Sequence, residues 1–384
     1  MNTASAPKST KTDSFLSTSN ALKLSGASIG SYALKQLLDG PDYKDVPGSL
    51  QGKNVVITGA NTGLGKESAI ILAKLGADVT LLCRNQQKAQ LAIDEIKVRS
   101  GIPDGSIRNV VCDLNDLKSI ESASREIKNS LSKVDVLMNN AGKCFFLFFF
   151  FSFPSSFSLL SDTYLCSSFS PLQPSGVMAI PERQVTAQGF EKHLGINHLG
   201  HFFLTSQLYP LLQKASGSAR VVSVSSTAHF LGNGDTMKMD LMLQSKYEPW
   251  PAYGNSKLAN ILFTKALANR SNKDNIIAVT CHPGVCRTEL GRYIFDPAAV
   301  QINPALYPLV AVIGAPAIYL TKSSAKGAQT QSFLAGSSSI DQRMTGLYYD
   351  NSKPASVLPA AVDVELQDYL WNESNRLTGE KFLS

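Results

Sequence analysis

Tyr253 and Lys257 stand four residues apart in the segment PAYGNSKLANILF. Four residues is one helical turn, so the phenol and the ammonium share a helix face. A phenol ordinarily titrates near about 10, and a fixed cation beside it favours the phenolate and draws that value towards neutrality. A tyrosine held this way exchanges a proton with an alcohol or a carbonyl at physiological pH. Tyr-x-x-x-Lys alone is also an ordinary pair on a helix surface. The upstream turn TGANTGLG at 58–65 changes its weight, because it offers a place to hold a dinucleotide.

The elements that must position these groups alternate regularly. NVVITGA (54–60) is a short apolar run ending in a turn, as a buried parallel strand should be. Helical spacing over 64–76 follows, and then strands at 78–84, 107–114 and 133–142 alternate with helices at 85–99 and 116–130. Further on, 188–214 and 251–271 read as helices, 220–226 and 276–284 as strands, and 345–350 as a seventh strand. Strands alternating with helices of this length imply right-handed crossovers. The expected fold is α/β, a doubly wound parallel sheet (Rossmann fold) in one domain spanning 51–384.

The glycine turn follows a strand and opens a helix, the setting in which such a turn carries meaning. Gly59 permits the tight turn, Gly63 lets backbone amides approach a pyrophosphate, and Gly65 allows close helix–strand packing, with Asn61 and Leu64 between them. The helix amino end then offers N–H groups and partial positive charge to the phosphates. An NAD enzyme carries an acid at the end of the second strand for the ribose 2′-hydroxyl. Cys83 and Arg84 occupy that place, with Lys66 near the turn. Two cations and no carboxylate suit a 2′-phosphate, hence NADP(H), although Arg84 is also what an exposed strand end would carry. Asp113 ends the third strand, where it either bonds the adenine edge or caps the next helix.

The 384 residues are 43% hydrophobic and 17% charged, a globular and rather apolar composition. A net charge of +6 with no long basic run gives no support for nucleic-acid binding and is weakly compatible with resting near anionic lipid. The six cysteines show no paired spacing, which argues against metal and disulfides and fits a reducing compartment. No run of 18 apolar residues suggests a spanning helix. Residues 1–50 read as a tail containing a short amphipathic helix near 21–38, faintly like an organelle transit peptide but without arginine in residues 1–40.

Residues 143–176 break the pattern. They hold 9 of the 18 phenylalanines and only two charges, Lys143 and Asp162. Phe, Ser, Leu and Pro account for 26 of these 34 residues, and all four have pyrimidine-only codons. Gly142-Lys143 can encode a splice donor and Ser175-Gly176 an acceptor, so the segment reads as an unspliced intron. A membrane-dipping hairpin and a hydrophobic lid are the alternatives.

The set TGANTGLG, NNAG, GINHLGHFFLT, VVSVSS, YGNSK and HPGVCRT resembles the short-chain dehydrogenases/reductases, within them the retinol-dehydrogenase-like branch and its WW-domain oxidoreductase relatives. The resemblance runs from about Gly52 to about Gly379. It implies a tetrad of Asn197, Ser226, Tyr253 and Lys257. Tyr253 is then the proton donor in carbonyl reduction, Lys257 lowers its pKa and bonds the nicotinamide ribose, and Ser226 bonds the substrate oxygen. Asn197 holds a water that links Lys257 to solvent. The resemblance further implies that Asn140, Ala141 and Gly142 border that ribose, and that Pro283, Gly284 and Thr288 place the nicotinamide. In such proteins the segment after the sixth strand covers the substrate. Here 25 uncharged residues lie between Asp296 and Lys322, which suits a lipophilic alcohol, aldehyde or ketone, or else an ordinary core helix. A homodimer through 188–214 and 251–271 is the family's expectation. A redox-sensing partner on the same fold, of the chloroplast-import type, and a protochlorophyllide reductase remain alternative functions.

Overall fold

The computed structural model describes residues 34–103, 105–142, 180–286 and 321–384, together with Tyr32 and Tyr319. The insert 143–176, Thr288 and nearly all of the uncharged 297–321 stretch lie outside the described residues. Of the helix expected near 21–38, residues 34–38 fall within a described helical turn ending at 39.

Eight strands form one sheet: β1 (Asn54–Thr58), β2 (Asp78–Cys83), β3 (Ile107–Val111), β4 (Val136–Asn139), β5 (Ala219–Val224), β6 (Ile276–His282), β7 (Tyr348–Asp350) and β8 (Lys353–Pro354). Their order is β3-β2-β1-β4-β5-β6-β7-β8, parallel throughout except for the β7–β8 hairpin. Strands are added to one side of β1 up to β3 and to the other side from β4 onwards, so the carboxyl ends of β1 and β4 flank the crevice where ligands bind in such sheets.

The larger helices are α1 (Gly63–Lys74), α2 (Gln86–Ser100), α3 (Leu117–Ser130), α4 (Gly200–Leu212), α5 (Pro249–Arg270), α6 (Ser324–Gly336) and α7 (Val364–Thr378). Alternation along the strands divides the apolar core between the two faces. Val56, Leu82, Val110, Leu137 and Val221 pack with α3 and α4, whereas Val55, Ile57, Leu81, Met138 and Val222 pack with α1 and α2. In α3 the buried Ile120, Ala123, Ser124 and Ile127 recur at helical spacing, and the Asp116 carboxylate caps the start by accepting from Lys118 N.

One feature departs from the sequence expectation. The stretch 188–214 is not one helix: a single α turn (Lys192–Leu194) leads into a π-wound turn (Gly195–Leu199) and only then into α4. In addition, α4 and α5 are buried on nearly every side within one chain. Leu366 and Leu370 of α7 pack on Leu258 and Leu262 of α5, and Trp371 is ringed by Phe202, Phe263 and Phe382. The carboxyl-terminal helix of the same chain thus covers part of α4 and α5.

Candidate active site

Tyr253 and Lys257 lie on α5, both 0% exposed, with the Lys257 ammonium 5.6 Å from the centre of the Tyr253 ring. Three contacts hold this part of α5 to the carboxyl end of β5. Ser225 Oγ donates to Lys257 O at 2.7 Å, Lys257 Nζ to Val224 O at 3.3 Å, and Asn260 Nδ2 to the same carbonyl at 3.1 Å. The hydroxyl of Ser225 therefore anchors the helix, and its neighbour Ser226, 4% exposed, begins the turn beyond the strand. That turn (Thr227–Leu231) lies against Gly254. A Cβ at Gly254 would stand 2.8 Å from the Leu231 carbonyl carbon and 2.9 Å from Ala228 O, so the absence of a side chain beside Tyr253 lets the Ser226 turn come close.

Asn197 arrives from the π-wound turn, a winding frequent at functional sites. Its Nδ2 donates to Ser256 Oγ at 3.0 Å, and Ser256 donates to Tyr253 O at 2.7 Å. Gly142 joins the group with φ of +138°: a Cβ there would be 2.8 Å from Lys257 Nζ and 3.2 Å from Asn197 Oδ1. The geometry thus brings together Asn197, Tyr253, Lys257 and Gly142 at the carboxyl edge of the sheet.

The glycine turn has the conformation its residues suggested. Gly59 and Gly63 have φ of +66° and +58°. A Cβ on Gly65 would meet Asn140 Nδ2 at 2.5 Å and Gly59 O at 2.7 Å, so helix and turn meet only because nothing projects there. Thr58, Gly59, Asn61, Cys83, Arg84, Cys112, Asp113, Leu114 and Ala141 line a cleft beside the turn. Burial pushes the Cys83 thiol up to about 11, so it stays neutral, and no carboxylate ends β2. Asp113 accepts from Asn115 N at 3.0 Å and does not cap α3, a role that Asp116 takes. Asn85, Asp116, Ser323 and Asp363 cap the helices after them, whereas Thr62 gives α1 no side-chain cap and its first turn carries no acid. The leading amides of α1 are accordingly suited to an anion.

The other residues singled out in the sequence have partners of their own. The Lys66 ammonium is bonded to Glu95 of α2 at 2.5 Å, and Glu95 also holds Arg99. Asn140 directs its side chain into the fold, donating to Thr58 O and accepting from Gln331 Nε2, so only its backbone borders the site. Leu64 is buried towards α6, close to Gly327. Pro283 and Gly284 follow β6, Gly284 with φ of +87° over the buried Lys322 side chain. Sequence reasoning missed Thr58, His201 and the buried Glu191–His193 pair. The imidazole of His193 bonds Glu191 at 2.7 Å and presents its edge towards the Tyr253 ring, 6.1 Å between centroids. No spacing in the chain marks the Thr58–His201 pairing.

The chain belongs to the short chain dehydrogenase family, whose profile matches residues 53–158 and 175–298 and passes over 159–174. It is similar to retinol dehydrogenase 13 of Mus musculus, 34% identical over 331 residues that cover 86% of this chain and 85% of that protein. It is 36% identical to retinol dehydrogenase 12 of Homo sapiens over 330 residues, 86% of this chain and 87% of that one. Among solved structures it resembles a putative uncharacterized protein from Mycobacterium paratuberculosis, with a TM-score of 0.60, 28% identity, and coverage of 89% and 99%. It shares the fold of L-sorbose reductase from Gluconobacter frateurii, complexed with NADPH and L-sorbose, with a TM-score of 0.55, 19% identity, and coverage of 78% and 95%. The chain is thus an oxidoreductase of the short-chain family, with retinol dehydrogenases among its relatives.

Proposed function

We propose that this protein interconverts a lipophilic alcohol and its aldehyde or ketone with NADP(H), and that Asn197, Ser226, Tyr253 and Lys257 carry the reaction. The observation that bears most weight is the convergence of a fully buried tyrosine, a fully buried lysine and Asn197 on the backbone of Gly142. In this reading the glycine turn and the uncapped start of α1 receive the pyrophosphate. Arg84 faces the 2′-phosphate, Asp113 the adenine, and the backbone of 140–142 with Pro283, Gly284 and Thr288 the nicotinamide end. When bound, NADPH supplies the hydride.

The chain's own task is the proton. Ser226 donates a hydrogen bond to the substrate carbonyl oxygen as negative charge grows there. Tyr253 gives that oxygen its proton from the phenol, and in the reverse direction takes it back. Lys257, held 5.6 Å from the ring centre, favours the phenolate left behind, so the transfer occurs without a large pH penalty. Asn197 keeps the lysine side of the site in register through Ser256. Support for a lipophilic substrate comes from the named activity of the relatives and from the 25 uncharged residues before Lys322. Excision of 143–176, an intron in this reading, joins NNAG directly to VMAIPERQ. The test compares the full chain with one lacking 143–176, on aldehydes and ketones of graded chain length, with NADPH and NADH in parallel. NADPH-dependent reduction that rises with chain length is expected; turnover with NADH alone, or none in either form, contradicts the proposal.

A further inference from the structure

His201 is 3% exposed and lies between the two halves of the site without belonging to the tetrad. Its Nδ1 is 2.9 Å from Asn197 O, and its Nε2 is 2.9 Å from Thr58 Oγ1. A carbonyl oxygen only accepts, so Nδ1 must carry the ring proton, and Nε2 is left to accept from the Thr58 hydroxyl. Thr58 Oγ1 in turn accepts from the backbone amides of Asn140 and Ala141, both at 2.9 Å. The one Thr58 hydroxyl proton has two acceptors in reach, His201 Nε2 at 2.9 Å and Met138 O at 3.4 Å, and the nearer nitrogen is the better partner. Burial, opposed by the bond to Asn197 and reinforced by the nearby Lys257 charge, lowers the imidazole to about 4. The neutral form that this bonding requires is therefore the one present at neutral pH. Lys257 and His198 are the titratable groups whose charges couple to this ring.

We propose that His201 is a positioning residue, a tautomer-locked imidazole that joins the NNAG turn to the π-wound turn carrying Asn197. The proposal rests on the tetrad reading for its catalytic consequence. Two elements far apart in sequence are tied through Thr58, so the turn bordering the cofactor and the group beside Lys257 keep one relative placement.

The test uses the full chain and four substitutions: His201→Phe, which keeps ring size without nitrogen, His201→Gln, Thr58→Val and Thr58→Ser. NADPH affinity is read by fluorescence titration, and the pH profile of kcat by aldehyde reduction. His201→Phe and Thr58→Val should each weaken NADPH binding about tenfold, the double variant no more than the worse single one, because both break the same link. Thr58→Ser and His201→Gln, which keep a donor and an acceptor, should recover most of the loss. In His201→Phe the descending limb of kcat should move up by about one pH unit as the tyrosine loses its well-placed cation. A lower melting temperature with affinity and limb unchanged overturns the proposal. Should the substitutions prevent folding, nitrogen-15 spectra of the unmodified protein decide: the Nδ1-H tautomer, still neutral at about pH 5, is required. The Nε2-H tautomer, or an imidazolium at neutral pH, refutes it. Turnover that survives Tyr253→Phe would count against the tetrad and not against His201, whose cofactor-affinity and tautomer readouts need no catalysis.

Discussion

Tyr253 and Lys257 are active-site candidates because of what lies against them as much as because of their spacing. Ser225 and Gly254 fix the helix and its neighbouring turn, and Gly142 leaves room for the ammonium. Cofactor choice also belongs to single residues. Arg84 lines the cleft, whereas Lys66 is bonded to Glu95. Arg84→Ser should therefore lower the preference for NADPH over NADH by about tenfold to a hundredfold, the scale of a charge-assisted phosphate contact. Lys66→Ser should change it by less than about threefold, as for an exposed pair. Comparing kcat/KM for the two nucleotides measures this, and equal effects would contradict the assignment. The tyrosine, the lysine, the glycines and the missing acid at Cys83 were readable because their spacing in the chain is itself the signal. His201 was not, since its partner Thr58 is 143 residues away and nothing local marks the pairing.

Among the elements, β1 to β7 announced themselves as short apolar runs between turns. The two-residue β8 did not, because its exposed Lys353 and Pro354 form no apolar pattern. The stretch 188–214 read as one helix because an apolar run looks alike whether its winding is α or π. The difference lies in the backbone winding of Gly195–Leu199 alone. The carboxyl-terminal helix α7 was likewise not recognised as the cover of α5. Its anchor is Trp371, 2% exposed, with the Arg270 guanidinium 4.8 Å above the ring and Nε1 donating to Phe382 O at 2.9 Å. Trp371→Ala should cost about 3–5 kcal/mol, the range for an aromatic cavity in a packed core. Denaturant unfolding measures it, and a loss below about 1 kcal/mol would show that α7 does not seal the core.

For the molecule as a whole, the buried histidines predict sensitivity to acid. Burial lowers His198 to about 3, His201 to about 4 and His282 to about 3, against about 6.5 in an unfolded chain. The unfolded chain binds protons that the folded one refuses, so this contribution is complete above about pH 6.5 and is lost as pH falls towards 4. Melting temperature should decline steadily from about pH 6.5 to pH 5, before most carboxylates titrate. A flat profile across that window would contradict the neutral, buried state of these rings.

If Tyr253 handles the proton, the cofactor groove forms independently of its hydroxyl. Tyr253→Phe removes one oxygen from a fully buried ring and leaves the glycine turn, Arg84 and Asp113 in place. Single-turnover reduction by NADPH, measured beside NADPH binding, should fall at least about a thousandfold, towards the upper end of what a positioned proton donor contributes, with the dissociation constant changed by less than about threefold. Unchanged turnover, or loss of turnover only in step with loss of binding, would show that the proton is managed elsewhere.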